Sequence, residues 1–424
     1  MPIRLFGLTL HPTMAKHKSY CTIVVGGGPA GLFAAANLPV GSTLILEKKE
    51  SLGKKLLIAG TGRCNITHEG DVGDFIAKYG GNGRFLKKAL YEFSNSDVVS
   101  FFSQRGLPTI TDKNGKVFPS TEKSRDVLNV LLNECAARKV DVASNSTVVG
   151  VAKNGDRFVV TTPTDTYTCE YLVVSTGGCS YPTTGSTGDG YRLAQQLGHT
   201  VVEPKPALTP VFVASYAMDE LAGVSFDNVP IYLYRDGKKV GEHRGDIGFT
   251  HKGISGPGII DFSRSMVAGD LLKVGYAGVS ADAFRASFLD VVSKRGSTTV
   301  QTFLRDYSIP KSLVKYVLDE LKIEVSCCLS NIAAKERSLL VNLFCEYPFV
   351  VDHLGGFKVA MATAGGISLK EVSPKSMESK VCKGLFFAGE VLDIDGDTGG
   401  YNIQAAFSTG YLAAKAISAA VGQV

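Results

Sequence analysis

The chain has 424 residues, too many for one ordinary core, so two or three domains are expected. With 44% hydrophobic and 20% charged residues and no low-complexity block, it is globular, and its 47 glycines in apolar surroundings point to close backbone approaches rather than disorder. A net charge of +5 scattered without a basic patch argues against a nucleic-acid partner, and nine cysteines without a Cys-x-x-Cys pair argue against a zinc site or disulfide framework and for a reducing, cytoplasmic location.

The N-terminus, "MPIRLFGLTLHPTMAKHKS", is basic, and its apolar run is too short for a signal sequence, which leaves Met1 and Met14 as alternative starts. The uncharged stretch Ser19–Leu46 is long enough to span a bilayer, but its five glycines and two prolines break it into turns, so no membrane partner is expected. Tyr20–Val25 reads as a strand, Leu32–Pro39 as a helix and Ser42–Glu47 as the next strand, a βαβ unit of about 30 residues. Helices follow at Arg84–Glu92 and Ser124–Arg138, then strands at 147–152, 157–162 and 167–175 with a hairpin turn at Asn154-Gly155. After a helix near 189–197, residues 207–275 read mostly as strands, with a second hairpin at Asp236-Gly237. Residues 282–346 read as helical; Leu313, Val314, Val317, Leu318 and Leu321 fall on one face. Gly-rich α/β texture returns from about 355, with "GLFFAGE" as a strand and 402–420 as a helix. The fold class is α/β: one α/β domain in two parts (18–200 and 351–424), interrupted by a β-rich domain (201–280) that carries a helical part (281–350).

Gly26, Gly28 and Gly31 form G-x-G-x-x-G between a strand and a helix, with Glu47 ending the next strand. Gly26 permits a tight turn, Gly28 lets backbone approach a pyrophosphate, and Gly31 permits close helix–strand packing. Glu47 should accept hydrogen bonds from a ribose hydroxyl. Three features favour FAD over NAD. "LVVSTGG" and "GLFFAGE" return strands toward the dinucleotide, the Gly399–Ile403 stretch with Gly400 opens a helix whose N–H groups could face the flavin, and a long structured region follows Glu47. There is no second G-x-G-x-x-G for a dedicated nicotinamide domain, so NADH or NADPH enters only as a transient co-substrate.

In "GKKLLIAGTGRCNITHE", Lys54 or Lys55 could meet the pyrophosphate, Gly60 and Gly62 could let backbone pass the flavin, and Arg63 and Asn65 could contact flavin or substrate. Cys64 stands alone where flavin disulfide reductases place two cysteines, and it is read as a buried structural residue. The acidic stretch "GEVLDIDGDTGGYNIQ" begins like a calcium loop at Asp393. A calcium loop needs Gly at its sixth position and Glu at its twelfth, which here are Thr398 and Gln404, so no metal is expected. Glu390 is read as an acceptor for a ribityl hydroxyl, Asp395 and Asp397 as solvated or capping turn acids, and Asp393 receives no role.

The stretches "VVGGGPAGLFAA", "GKKLLIAGTGRCNIT", "GKVFPSTEKSRDVLNVLL", "STGGCSYPTTGSTGDGY", "FTHKGISGP", "GGISLKEVSPKSMESK" and "GLFFAGEVLDIDGDTGGYNIQAAFSTGY" together resemble a family of FAD-binding oxidoreductases. That family groups aminoacetone oxidase with bacterial enzymes that reduce 3-oxo enones of bile acids. The resemblance runs from about residue 20 to the end and implies a split Rossmann-like FAD-binding domain of glutathione-reductase type, interrupted by the β-rich domain with its helical part. It also implies FAD contacts at Gly26, Gly28, Pro29, Ala30, Gly31, Glu47, Lys54, Lys55, Gly62, Arg63, Cys64, Asn65 and a backbone contact near Val149. Further contacts are implied at Thr176, Gly177, Gly178, Gly389, Glu390, Asn402 and Ile403. One departure is a short first crossover at Asn37–Gly41.

The resulting expectation is a soluble FAD-dependent oxidoreductase that passes hydride between flavin and a small amino ketone, amine or conjugated enone. Its substrate should sit between the flavin and the insert. His251, Tyr181, Arg63 and Tyr401 are the polar candidates there, and none is assigned as catalytic. A flavin-binding regulator without turnover and a flavoenzyme acting on RNA are the alternatives.

Overall fold

The computed structural model describes residues 18–422; the choice between Met1 and Met14 lies outside them. Five parallel strands form the centre of the first domain. Lys18–Val25 pairs with Thr43–Leu46 on one side and with Thr166–Val174 on the other. Asp141–Ala143 extends the sheet beyond Thr43–Leu46, and Leu385–Phe387 pairs with the last residues of Thr166–Val174. Ile23, Val24, Ile45, Leu172, Val173, Leu385 and Phe387 are all buried. Both faces are covered, so these segments are continuous apolar runs rather than alternations. The hairpin Gly150–Asn154/Arg157–Thr161 turns through Gly155-Asp156, with Asn154 still paired to Arg157, and joins the first half of Thr166–Val174 in antiparallel fashion.

The helices Pro29–Asn37 and Tyr401–Val421 pack on each other over this sheet. Their contact is made by small residues: a Cβ on Gly410 would lie 2.6 Å from the Ala30 carbonyl oxygen and 3.2 Å from the Ala34 nitrogen. Phe33, Phe93, Phe101, Phe102 and Phe407 fill the space beside that crossing.

The insert is a closed antiparallel barrel. Its strands run in the order Val211–Val213, Gly253–Ser255, Lys238–Phe249, Ser225–Arg235, Leu271–Val274 and Tyr347–Leu354, which returns to the first. The helical part, Ala281–Cys345, lies between the last two strands and shares one core with the barrel through Phe284, Phe288, Phe303, Phe344 and Tyr276. Leu313, Val314, Val317 and Leu318 face that core. The expected division at 350 falls inside the strand Tyr347–Leu354, which belongs to the barrel. Tyr347, Phe349 and Val351 are buried and Pro348, Val350 and Asp352 exposed, the period-two pattern of a one-sided strand. An antiparallel pair, Val201–Ala207 with Ala362–Ile367, connects the insert to the first domain.

Among the described residues no helix is long and apolar enough to cross a membrane. Because Gly410 packs directly on backbone, Gly410→Val should cost about 1–3 kcal/mol, read as a lower urea midpoint. Gly356→Ala, where an added Cβ meets nothing within 4 Å, should leave the midpoint within error.

Candidate cofactor and substrate site

The first strand ends at Gly26, whose φ is +102° and whose added Cβ would lie 2.7 Å from the Ser175 carbonyl oxygen. A Cβ on Gly31 would lie 2.0 Å from the Gly26 carbonyl oxygen and 2.6 Å from Ser175 Oγ. Glycine at both places lets the following helix start directly above the sheet edge. That helix has Gly28 at its cap, proline in its first turn, and neither a capping side chain nor an acid there. Its N–H groups and positive dipole end are left for an anion. Glu47 is held by two backbone donors: Oε2 accepts from the Gly27 N–H (2.8 Å) and Oε1 from the Lys49 N–H (2.8 Å). Each carboxylate oxygen has a further lone pair for a ligand hydroxyl.

A cavity of about 920 Å³ opens beside this turn. Gly26, Gly28, Pro29, Ala30, Glu47, Lys54, Lys55, Arg63, Asn65, Thr176, Gly177, Tyr181, Glu390, Gly400, Asn402 and Ile403 all face it. Asn65 Oδ1 is buried without a hydrogen-bond partner, so the cavity wall carries an acceptor suited to a ligand N–H. The helix Tyr401–Val421 begins beside it. Gly400 has a φ of +98°, its added Cβ would lie 2.5 Å from the Thr67 carbonyl oxygen, and the helix has no side-chain cap. Asn402 pins the preceding loop, accepting from the Gly396 N–H (2.8 Å) and donating to the Gly396 carbonyl (2.9 Å).

Lys55 meets Glu390 rather than standing free for a pyrophosphate: Nζ lies 2.5 Å from Oε2. Glu390 Oε1 accepts from Ser180 Oγ (2.8 Å) and the Thr363 N–H (2.9 Å). Ser180 and Thr363, absent from the sequence expectations, thus orient the carboxylate expected to hold a ribityl hydroxyl.

Other expected residues lie outside the cavity. Gly31, Gly178 and Gly389 are packing positions; a Cβ on Gly178 would meet Thr363 Oγ1 at 2.4 Å and one on Gly389 would meet Ala30 Cβ at 2.7 Å. Gly62 turns the loop with a φ of +87°. Cys64 is 0% exposed, and burial pushes its thiol up to about 12, so it is an inert buried group. Val149 is exposed, with its carbonyl taken by Arg192 (2.6 Å), and its neighbours Val148 and Ser146 line the cavity instead. His251 is exposed in the turn after Lys238–Phe249 and does not line the cavity; that turn is closed by the Thr250 N–H donating to the Gly253 carbonyl (2.8 Å).

The insert supplies one wall of the cavity through Pro257 and Ile260, Leu208 and Met361 continue it from the end of the connecting strand pair, and Phe118 adds an aromatic face. Arg63 stands over Phe118, 4.2 Å from its ring centroid, and pairs with Glu122. The acids of the Asp393–Thr398 loop are not solvated turn residues. Arg264 of the insert donates to Asp397 (2.9 Å), with its Nε 3.6 Å from Asp395. Burial raises the pKa of Asp393, Asp395 and Asp397 alike. Asp261, also on the insert, accepts from the Thr398 N–H (2.6 Å) and hydroxyl (3.0 Å). Burial pushes its carboxyl up to about 6.

The HI0933-like protein Rossmann domain family matches residues 20–416, and the chain belongs to that family of flavin-dependent oxidoreductases. It is 30% identical over 405 residues to a 3-dehydro-bile acid delta(4,6)-reductase of Clostridium scindens, covering 93% of this chain and 98% of the relative. It is 28% identical over 408 residues to a ribosomal RNA dihydrouridine synthase of Escherichia coli, covering 95% and 99%. A flavocytochrome c3 fumarate reductase in its open conformation has the same fold, with a TM-score of 0.51 at 16% identity over 95% of this chain and 78% of that one. The architecture is therefore an α/β FAD-binding Rossmann type with an added antiparallel domain, and the similar relatives are enzymes.

Two outcomes follow from the burial of Cys64 and Asp261. Iodoacetamide at about pH 8 should leave Cys64 unmodified in the native protein and modify it in urea, as read by peptide mass spectrometry. The raised carboxyl of Asp261 favours folding only while protonated. Its contribution is present below its ordinary pKa and is lost as pH rises through about 6. Asp261→Asn should therefore gain urea stability relative to wild type as pH goes from about 5 to about 8.

Proposed function

We propose that the cavity holds FAD and that the enzyme saturates a carbon–carbon double bond conjugated to a carbonyl. The observation that carries this reading is the continuity of the cavity. It runs from the glycine loop and Glu47, past the unpartnered Asn65 acceptor and the uncapped helix at Gly400, to an apolar wall supplied by the insert. A dinucleotide fits the first part and a flat, largely apolar substrate the second. The activities of the two kinds of relative share this chemistry: a delta(4,6)-reductase reduces double bonds of a bile acid, and the uracil 5,6 double bond lost in dihydrouridine is itself conjugated to a carbonyl.

The residues fit the cofactor as follows. Glu47 would hold ribose hydroxyls, the helix start at Gly28–Ala30 the pyrophosphate, and Asn65 with the first turn of Tyr401–Val421 the ring. FAD bound there supplies hydride transfer, with NADH or NADPH as the donor that reloads it. Lys55 and Glu390 neutralise each other, so the wall adds little net charge.

Tyr181 is the residue we assign to the proton. It lines the cavity, and its φ of +51° is unusual for a non-glycine residue. Its backbone N–H is tied to the Phe357 carbonyl (2.9 Å). Strain of this kind persists where surrounding structure imposes it and clusters at working sites. The Tyr181 phenol would donate to the α-carbon of the substrate while Arg63 steadies its carbonyl or an anionic group. His251, exposed and remote from the cavity, takes no part.

A uracil base within RNA is the second reading, supported by the rRNA-modifying relatives, which match over 93–95% of this chain. It concerns the same bond type and differs in what lies outside the cavity.

Protein purified without added flavin should be yellow and release FAD on denaturation. Reduced under anaerobic conditions, it should be reoxidised by conjugated enones and not by the corresponding saturated ketones. Tyr181→Phe should retain flavin and slow reoxidation about 10²–10⁴-fold. Failure of every enone, with hydrogen gain in the uridines of rRNA instead, would establish the second reading. Inactivity toward both would overturn the proposed chemistry.

A further inference from the structure

We propose that Asp261, on the inserted domain, is a positioning residue for the cofactor: it sets where the N-terminus of the helix Tyr401–Val421 lies against the cavity. The inference rests on the reading that FAD occupies that cavity. Asp261 belongs to the helix Pro257–Phe262, which is part of the insert. Pro257 and Ile260 of this helix form the cavity wall. Asp261 receives both the backbone N–H and the hydroxyl of Thr398, at 2.6 and 3.0 Å. Two residues on from Thr398 is Gly400, where the uncapped helix begins. One short insert helix thus shapes the substrate wall and holds the loop that aims the helix N–H groups.

The grip is directional. Both carboxylate oxygens are used on one residue, so Thr398 is fixed in rotation as well as distance. Arg264 fixes Asp397 beside it, Lys78 lies 3.8 Å from Asp397, and Gly399 and Gly400 take left-handed conformations with φ of +115° and +98°. Those two glycines carry the turn between grip and helix and pass any shift of Thr398 to Gly400, Asn402 and Ile403. N–H groups at a helix start stabilise negative charge placed before them. Moving them away makes charge on the ring less favourable.

The charged neighbours act in both directions. Asp397 disfavours the ionised form of Asp261, while Arg264 and the Thr398 donors favour it. His243, on the strand Lys238–Phe249, lies within reach of the charges of Asp397, Lys78 and Arg264. Any pH effect must therefore be assigned by removing Asp261 itself.

The test uses the flavin-loaded full chain. Midpoint potential by dye equilibration, the flavin absorbance spectrum, and kcat and KM are compared for wild type, Asp261→Ala and Asp261→Asn. Asp261→Ala should move the potential to a more negative value, perturb the spectrum and lower kcat up to about 10²-fold. Asp261→Asn keeps an acceptor for the Thr398 N–H and should recover most of the potential. Wild-type spectra should titrate with a midpoint near pH 6, and those of Asp261→Asn should not. Thr398→Ala, which removes one of the two bonds, should shift the potential in the same direction and less far; it decides the matter if Asp261→Ala does not fold. Loaded variants with wild-type potential and spectrum overturn this inference alone. A wild type that binds no flavin overturns the reading of the cavity, and this inference with it.

Discussion

The structure depends on one close approach: the carbonyl of Gly26 lies where a Cβ of Gly31 would be, 2.0 Å away. No side chain fits between them. The chain can therefore leave a buried strand, turn, and start a helix within five residues. Ser175 closes the same gap from the neighbouring strand, donating its hydroxyl to the carbonyls of Val25 and Gly26 (both 3.1 Å). Three backbone segments thus meet at the C-terminal edge of the parallel sheet, and the helix dipole opens onto the resulting crevice. Crevices at such strand ends are where open α/β sheets bind ligands. Gly410 extends the logic: by letting the last helix touch the first, it places a second helix start at the far end of the same cavity.

The cavity is a joint product of two domains with different roles. The first domain provides fixed polar groups whose partners are mainly backbone or neutralising, as at Glu47 and the Lys55–Glu390 pair. The insert provides an apolar wall and then fastens itself to the first domain through charge. An apolar wall on its own gives little angular definition, since dispersion contacts are non-directional. Bonds to Thr398 and Asp397 give the definition that the wall lacks.

Much of the first domain was legible in the sequence because its signals are local. The glycine spacing, the Glu47 position and the uncapped helix at Gly400 each lie within one turn of the element they control. The barrel was legible only as texture. Tyr347–Leu354 carries a clean alternation, yet it follows a helix directly, and a short apolar run next to a helix is ambiguous in period. The contacts of Asp261 and Arg264 were not legible at all. Their partners are 137 and 133 residues away, and nothing near Asp397 distinguishes an acid that meets a cation from one that meets water. His251 is the opposite case: it is a polar residue of the motif Phe249–Pro257 and stays outside the cavity, while the motif's last residue, Pro257, and Ile260 just beyond it supply the wall.

The acidic loop also separates stability from function. Arg264 and Lys78 are the cations beside Asp395 and Asp397, and burial raises the pKa of Asp393 and Asp261 as well. Buried carboxylates with incomplete pairing oppose folding at neutral pH. Apolar residues of similar size would serve the core better. What apolar residues cannot do is accept two hydrogen bonds from a single threonine at the entrance to a helix. Charge at this junction thus goes with an oriented loop, and the loop is bonded to the same helix whose Pro257 and Ile260 line the cavity. Wall and loop are held to each other because one residue, Asp261, is bonded to the loop while Pro257 and Ile260 of its helix line the cavity.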